Sequence, residues 1–171
     1  MTDDRHLAFT VAGEACALPL ASLCEVVADY AVAQPPGLPA PWHGVATMRD
    51  EVVPLVALGR LLGFDAGPRR PTTRALIVRV DGALVGLEVD EVRRVVAVPA
   101  ASLRPLPELG RGARSGSVRA ASELPDGRLM LHLEPTALFD ATLRRSLAEL
   151  RRQLAAARPV SAGARASAAD D

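Results

Sequence analysis

The chain of 171 residues contains no lysine: all 20 of its Lys-plus-Arg positions are arginine. That absence excludes a P-loop lysine, a Schiff-base lysine and a serine–lysine dyad. There is no charge surplus either, with 20 acidic residues against 20 basic ones. A balanced chain argues against a nucleic-acid partner, because phosphate neutralisation needs a basic face. Cysteine is nearly missing. Cys16 and Cys24 leave a disulfide open, but the expectation is two buried thiols in a cytoplasmic protein. No apolar run approaches the ~20 residues that span a bilayer. No basic–apolar–small pattern opens the chain, so neither membrane insertion nor secretion is expected. Aromatics are 3% of residues while apolar residues as a whole reach 49%, so a core has to be built from Leu, Val and Ala.

Chemistry-bearing residues are equally sparse. His6, His43 and His132 stand in separate segments, none followed by a partner at metal-ligand spacing, and the cysteines form no CxxC. All five read as ordinary core or surface residues. Without a nucleophile–base pair no enzymatic activity is expected, and no cofactor or metal is implied. Gly110, Gly112 and Gly116 miss the dinucleotide fingerprint by one residue and read as a loop. Glu88 and Asp90 share one side of a strand and suit a cation in principle. With no further carboxylate nearby, a solvated strand face is the expectation.

What the chain does hold is a series of short apolar runs broken by turn chemistry. Residues 6–11 and 16–20 flank Ala12-Gly13-Glu14 as an N-terminal hairpin. Leu23 to Val27 follows as a strand or short helix. The proline-rich segment 34–41 prevents both helix and ladder pairing. Trp42 to Leu58 then gives two strand-like pieces around a polar corner, Met48-Arg49-Asp50-Glu51. Val52, Val53, Leu55 and Val56 suit a strand with little solvent on either face. Pro54 cannot donate to a ladder, which places it at an edge or bulge and the corner near an unpaired edge.

Residues 59–64 form one helical turn with a glycine cap, and 65–73 is the candidate break between two halves. Ala75–Val80 and Ala83–Val89 are joined by Asp81-Gly82, a strong hairpin signal, and 90–98 continues as a strand. Leu103 and Leu106 anchor an irregular stretch, 108–116 reads as a mobile loop, and a last hairpin closes about Pro125-Asp126-Gly127. A helix then starts at Glu134-Pro135-Thr136. Leu143, Leu147, Leu150 and Leu154 recur at helical spacing, too briefly for a coiled coil. Packing against the strands is the expected use of that stripe; self-association is the alternative. The segment 158–171 has no periodicity and reads as a disordered tail. About ten short strands with turn signals every ~8–12 residues indicate an all-β sandwich or small barrels.

Three stretches resemble the CheW-like adaptors of bacterial chemosensory arrays. Gly44-Val45-x-x-x-Arg49-x-x-x-Val53-Pro54-Leu55-Val56-x-Leu58 is similar to the family's signature region. Residues 17–27, with Glu25 at the family's glutamate, and Gly86-Leu87-Glu88-Val89-Asp90-Glu91-Val92 are similar to two further landmarks. Thr47, Met48, Asp50 and Ala57 depart from the usual Asn, Leu, Gly and Asp. The resemblance covers roughly residues 6–139. It implies two packed five-stranded SH3-like barrels over residues 1–139, with a C-terminal helix over 140–157 lying outside them. It further implies a non-enzymatic scaffold coupling the cytoplasmic tip of a chemoreceptor to the regulatory domain of a CheA-like histidine kinase. The alternative is a divergent scaffold of a non-flagellar pathway that keeps one partner or self-associates.

By the same resemblance Leu23, Glu25, Gly44 and Arg49 match partner-contact positions. For Arg49 the residues alone leave two readings. One is a surface arginine bridging Asp50 or Glu51, worth under about 1 kcal/mol. The other is an interface anchor using its planar fork, and the resemblance favours the anchor. Asp50, an acid where the family has glycine, restricts the backbone and bears on partner preference.

Overall fold

The computed structural model describes residues 4–65, 67–106 and 117–156; the expected mobile loop at 108–116 and the tail from 158 lie outside them. Ten strands form: β1 (Arg5–Val11), β2 (Glu14–Pro19), β3 (Leu23–Val27), β4 (Trp42–Met48), β5 (Glu51–Ala57), β6 (Arg74–Val80), β7 (Ala83–Val89), β8 (Glu91–Ala97), β9 (Val118–Glu123) and β10 (Leu129–Leu133). Two helices join them, the short α1 (Leu58–Leu61) and the long α2 (Ala141–Ala156). The strands make two five-stranded sheets, ordered β3-β6-β7-β5-β4 and β8-β1-β2-β10-β9. The segment 65–73 connects α1 to β6 within the first sheet. The chain changes sheets elsewhere, at Leu20–Ser22 and at Asp90.

Closure of the first sheet follows from one short contact. Ala33 and Val45 exchange both backbone hydrogen bonds at 2.8 Å, which lays the chain after β3 along the outer edge of β4. That exchange also explains Pro54. Its strand β5 is interior, between β7 and β4, so the expected edge position is corrected. Val45 faces Pro54 in the β4–β5 register but directs both of its backbone groups to Ala33. A missing N–H at Pro54 therefore removes no bond from that pair.

β6 and β7 are buried along almost their whole length, with Arg79 the exposed exception. Their alternate residues feed different cores. Leu76, Val78, Leu87 and Val89 join β1 and β2 residues in a large core shared by both sheets. Ala75 and Ile77 turn the other way, onto Ala46, Val53 and Leu55. The second sheet has a smaller separate cluster of Ala17, Val98 and Met130.

α2 does not begin at Pro135. That proline opens a separate 3-10 turn, Pro135–Leu138, and the chain breaks before Asp140 caps a new helix by accepting from the Leu143 N–H at 2.8 Å. Leu143, Leu147 and Leu150 are sunk in the shared core, and the Trp42 indole N–H donates to the Ser146 hydroxyl at 2.9 Å. The apolar stripe of α2 is thus used inside the molecule.

His132 on β10 is 4% exposed, and its Nε2 meets the Ser122 hydroxyl at 2.8 Å. Burial, and secondarily the charge of His6, lower its pKa from 6.5 to about 4. A depressed histidine is neutral in the fold and takes up its proton more readily in the unfolded chain. Stability is therefore expected to be intact above pH 6.5 and to fall as pH drops from there toward 4. Thermal melts between pH 7 and 5 check this; His132→Gln should flatten the slope in that window.

Candidate functional site

Three tight turns place both central residues at positive φ: Ala12-Gly13 (50° and 80°), Asp81-Gly82 (49° and 78°) and Arg49-Asp50 (49° and 64°). Such turns match the twist of a hairpin, and glycine suits them because it has no Cβ to clash. The Arg49-Asp50 turn alone among the three manages without glycine. Aspartate tolerates the left-handed region better than most residues, arginine less so. Backbone kept in a sparsely populated conformation tends to cluster where function requires it. Asp50→Gly is expected to relieve the second position and raise the melting temperature by about 2–4 °C, as followed by circular dichroism.

The turn presents Arg49 with its side chain 82% exposed. Its Nη2 donates to Glu25 Oε1 at 3.0 Å, rather than to the neighbouring Asp50 or Glu51. Glu25 lies on β3, at the opposite end of the sheet from β4. The pair therefore spans the seam where the sheet closes on itself. An exposed pair of this kind is worth under about 1 kcal/mol. Its value is positional: the guanidinium is oriented yet still open to water.

The other two expected residues stand differently. Gly44 is buried in β4, and a Cβ there would come within 2.4 Å of Val32 Cγ1 and 2.9 Å of the Ala33 carbonyl oxygen. Glycine at this position lets the closing segment lie flat, and it offers no side chain to a partner. Leu23 is half-buried against the shared core, at the start of a β3 irregularity. Cys24, within that irregularity, is exposed, which corrects the expectation of two buried thiols; both cysteines are free. Cys16 is fully buried, and burial ahead of the nearby Glu14 pushes its pKa up to about 12, leaving an inert thiol.

A second polar group corrects the reading of Glu88. It is 8% exposed, not on a solvated face. Tyr30 donates its hydroxyl at 2.6 Å, Arg69 its Nε at 3.2 Å, and His43 Nε2 contacts the remaining oxygen. Arg69 also lies 4.3 Å over the Tyr30 ring, a cation–π contact. Burial alone would raise the Glu88 pKa, but the bonds from His43 and Tyr30 and the charges of His43 and Arg69 outweigh it and hold the carboxyl below its usual range. Asp90 is engaged separately, accepting from the Ala12 N–H at 2.8 Å. Among the described residues no group of three or more His, Cys, Asp or Glu is placed to hold a metal ion. Sequence did carry a partial signal for this cluster: Glu88 follows the apolar run 83–87 within a strand, and a charge buried there has to be paired.

Two five-stranded sheets packed on a shared core have counterparts among known proteins. The CheW-like domain profile matches residues 5–143. The chain belongs to the CheW-like family. It is 30% identical over 142 residues to a probable chemotaxis protein CheW of Rhizobium etli, covering 81% of this chain and 90% of that one. Against the chemotaxis protein CheW of Helicobacter pylori the identity is 26% over 104 residues, or 61% of this chain and 63% of the other protein's length. The crystal structure of the scaffolding protein TtCheW from Thermoanaerobacter tengcongensis superposes with a TM-score of 0.73 at 22% identity, covering 83% of this CheW-like chain and 96% of that protein. At that identity the likeness speaks for the fold. It agrees with the expected pair of five-stranded SH3-like barrels. No helix among the described residues is long and apolar enough to cross a membrane.

Proposed function

We propose that this CheW-like chain is a non-enzymatic coupling adaptor that holds the cytoplasmic tip of a chemoreceptor and the regulatory domain of a CheA-like histidine kinase in register within a chemosensory array. The supporting observation is the Arg49 corner. A charged, directional side chain is held open to solvent on a glycine-free turn, with Glu25 fixing its direction from across the seam. Interface anchors are enriched in arginine, and a preoriented one loses less freedom on docking. Arg49 and Glu25 supply the contact, while Gly44 and Leu23 shape the surface beneath it. The mechanism is mutual positioning on a rigid body in the cytoplasm, with the two barrels as the coupling unit and α2 as a brace.

A pull-down against the receptor tip and the kinase regulatory domain tests the reading, with Arg49→Ala alongside. Unimpaired capture of both partners by the variant would remove Arg49 from the contact. Self-association through α2 is the weaker reading, because Leu143, Leu147 and Leu150 are already buried at 2–3% exposure.

A further inference from the structure

The two sheets fill their private cores unequally. In the first sheet, Val53, Leu55 and Ile77 occupy the interior that the shared core does not. In the second, the equivalent space meets Ala8, Ala15 and Ala17, with Met130 as its largest central member. Ala8 and Ala15 remain half-exposed. A cleft of about 700 Å³ opens over them.

Arginines surround this apolar floor. Arg70 comes from the segment before β6, Arg93 and Arg94 from β8, and Arg128 from the β9–β10 turn; Asp90 and Glu91 are the acids in the lining. Each acid is engaged: Asp90 with the Ala12 N–H and Glu91 with Arg93 at 3.3 Å. Arg128 is held by Asp126 at 2.8 Å. Arg70 and Arg94 are exposed, with no ionic partner among the described residues. In a chain of zero formal charge this cleft is locally positive, with four arginines against two acids.

We propose that this cleft is a docking site for an acidic amphipathic segment of a partner protein. An apolar side chain of the segment would rest on Ala8, Ala15 and Met130, and its carboxylates would meet Arg70 and Arg94. Guanidinium forks suit carboxylates bidentately, and a flexible methionine adapts to the incoming side chain. Charged residues on an edge strand also guard against edge-to-edge pairing, and Arg93 and Arg94 on β8 would suffice for that. Arg70 and Arg128 lie off that strand and converge on the same space, which protection of an edge does not require. The floor of the surface is on the opposite sheet from Arg49, with Arg70 reaching it from the segment before β6, and the proposal stands independently of the coupling reading.

Fluorescence anisotropy with three short labelled peptides tests it on the full chain: one alternates glutamate and leucine, one arginine and leucine, and one is glutamate alone. The glutamate–leucine peptide is expected to bind at least about tenfold tighter than either other peptide, and more weakly as salt rises. Arg70→Glu with Arg94→Glu should abolish that preference. Ala15→Leu, which fills the floor and keeps every charge, should also weaken binding, and Arg49→Glu should leave it intact. Melting curves of each variant confirm folding. Equal binding of the acidic and basic peptides, an unchanged preference in the charge-reversed variant, or loss of binding in Arg49→Glu would each overturn the proposal.

Discussion

Arg49→Glu is expected to weaken binding to the receptor tip and to the kinase regulatory domain by at least about thirtyfold, the scale of an interface hot spot of roughly 2 kcal/mol. The fold should hardly notice. The side chain is 82% exposed, its pair with Glu25 is worth under about 1 kcal/mol, and glutamate meets much the same backbone strain at φ 49° as arginine does. A melting temperature lowered by no more than about 3 °C is the matching stability result. Calorimetric titration of the variant against each purified partner separates the two effects. Adding Glu25→Arg restores an ion pair at the seam with the charges exchanged. If the partner reads the charge at position 49, the double variant regains stability and not binding. Recovery of binding would mean that the pair matters only as a seam clasp.

The largest loss of stability should come from Glu88→Ala. This carboxylate receives Tyr30, Arg69 and His43 in one place, and those three groups sit respectively after β3, before β6 and on β4. Removing it leaves three donors facing a void. Breaking a buried charged group in this way costs about 3–5 kcal/mol, or a melting temperature lower by roughly 10 °C. Arg69 is the least costly loss of the three, being itself 44% exposed. Glu88→Gln keeps the volume and part of the bonding, so its loss should be smaller. The pH response has a definite sign. The folded pKa of Glu88 lies below the ordinary value of 4.5, so its contribution is present above pH 4.5 and is lost as pH falls through the lower folded value. Acid unfolding of Glu88→Gln followed by tryptophan fluorescence should accordingly show a shallower slope below pH 4.5 than the parent. Equal slopes would mean that Glu88 is not held ionised by its neighbours.

Much of the strand pattern was legible because it depends on local chemistry. Asp81-Gly82 and Ala12-Gly13 mark their hairpins through glycine's freedom at positive φ, and the bulky apolar residues Val53, Leu55 and Val56 mark a strand with little solvent on either face. Pro54 misled for a specific reason. A proline normally breaks a ladder, but here its position faces a residue whose bonds go to Ala33, and that long-range exchange leaves no local trace. Pro135 likewise marked a helical turn correctly while the main helix waited for Asp140.

Local residue patterns were enough for the approximate strand order, the glycine turns, the apolar stripe of the last helix and the family, since each rests on residues close together in the chain. Tertiary structure alone decided that Arg49 meets Glu25 across 24 positions, that Glu88 draws in Tyr30, His43 and Arg69, and that four arginines ring a floor of small residues. The physical reason is common to all three. Where a charge finds its partner depends on which ends of a closed sheet come together, and that is fixed by burying the shared core, not by any spacing along the chain.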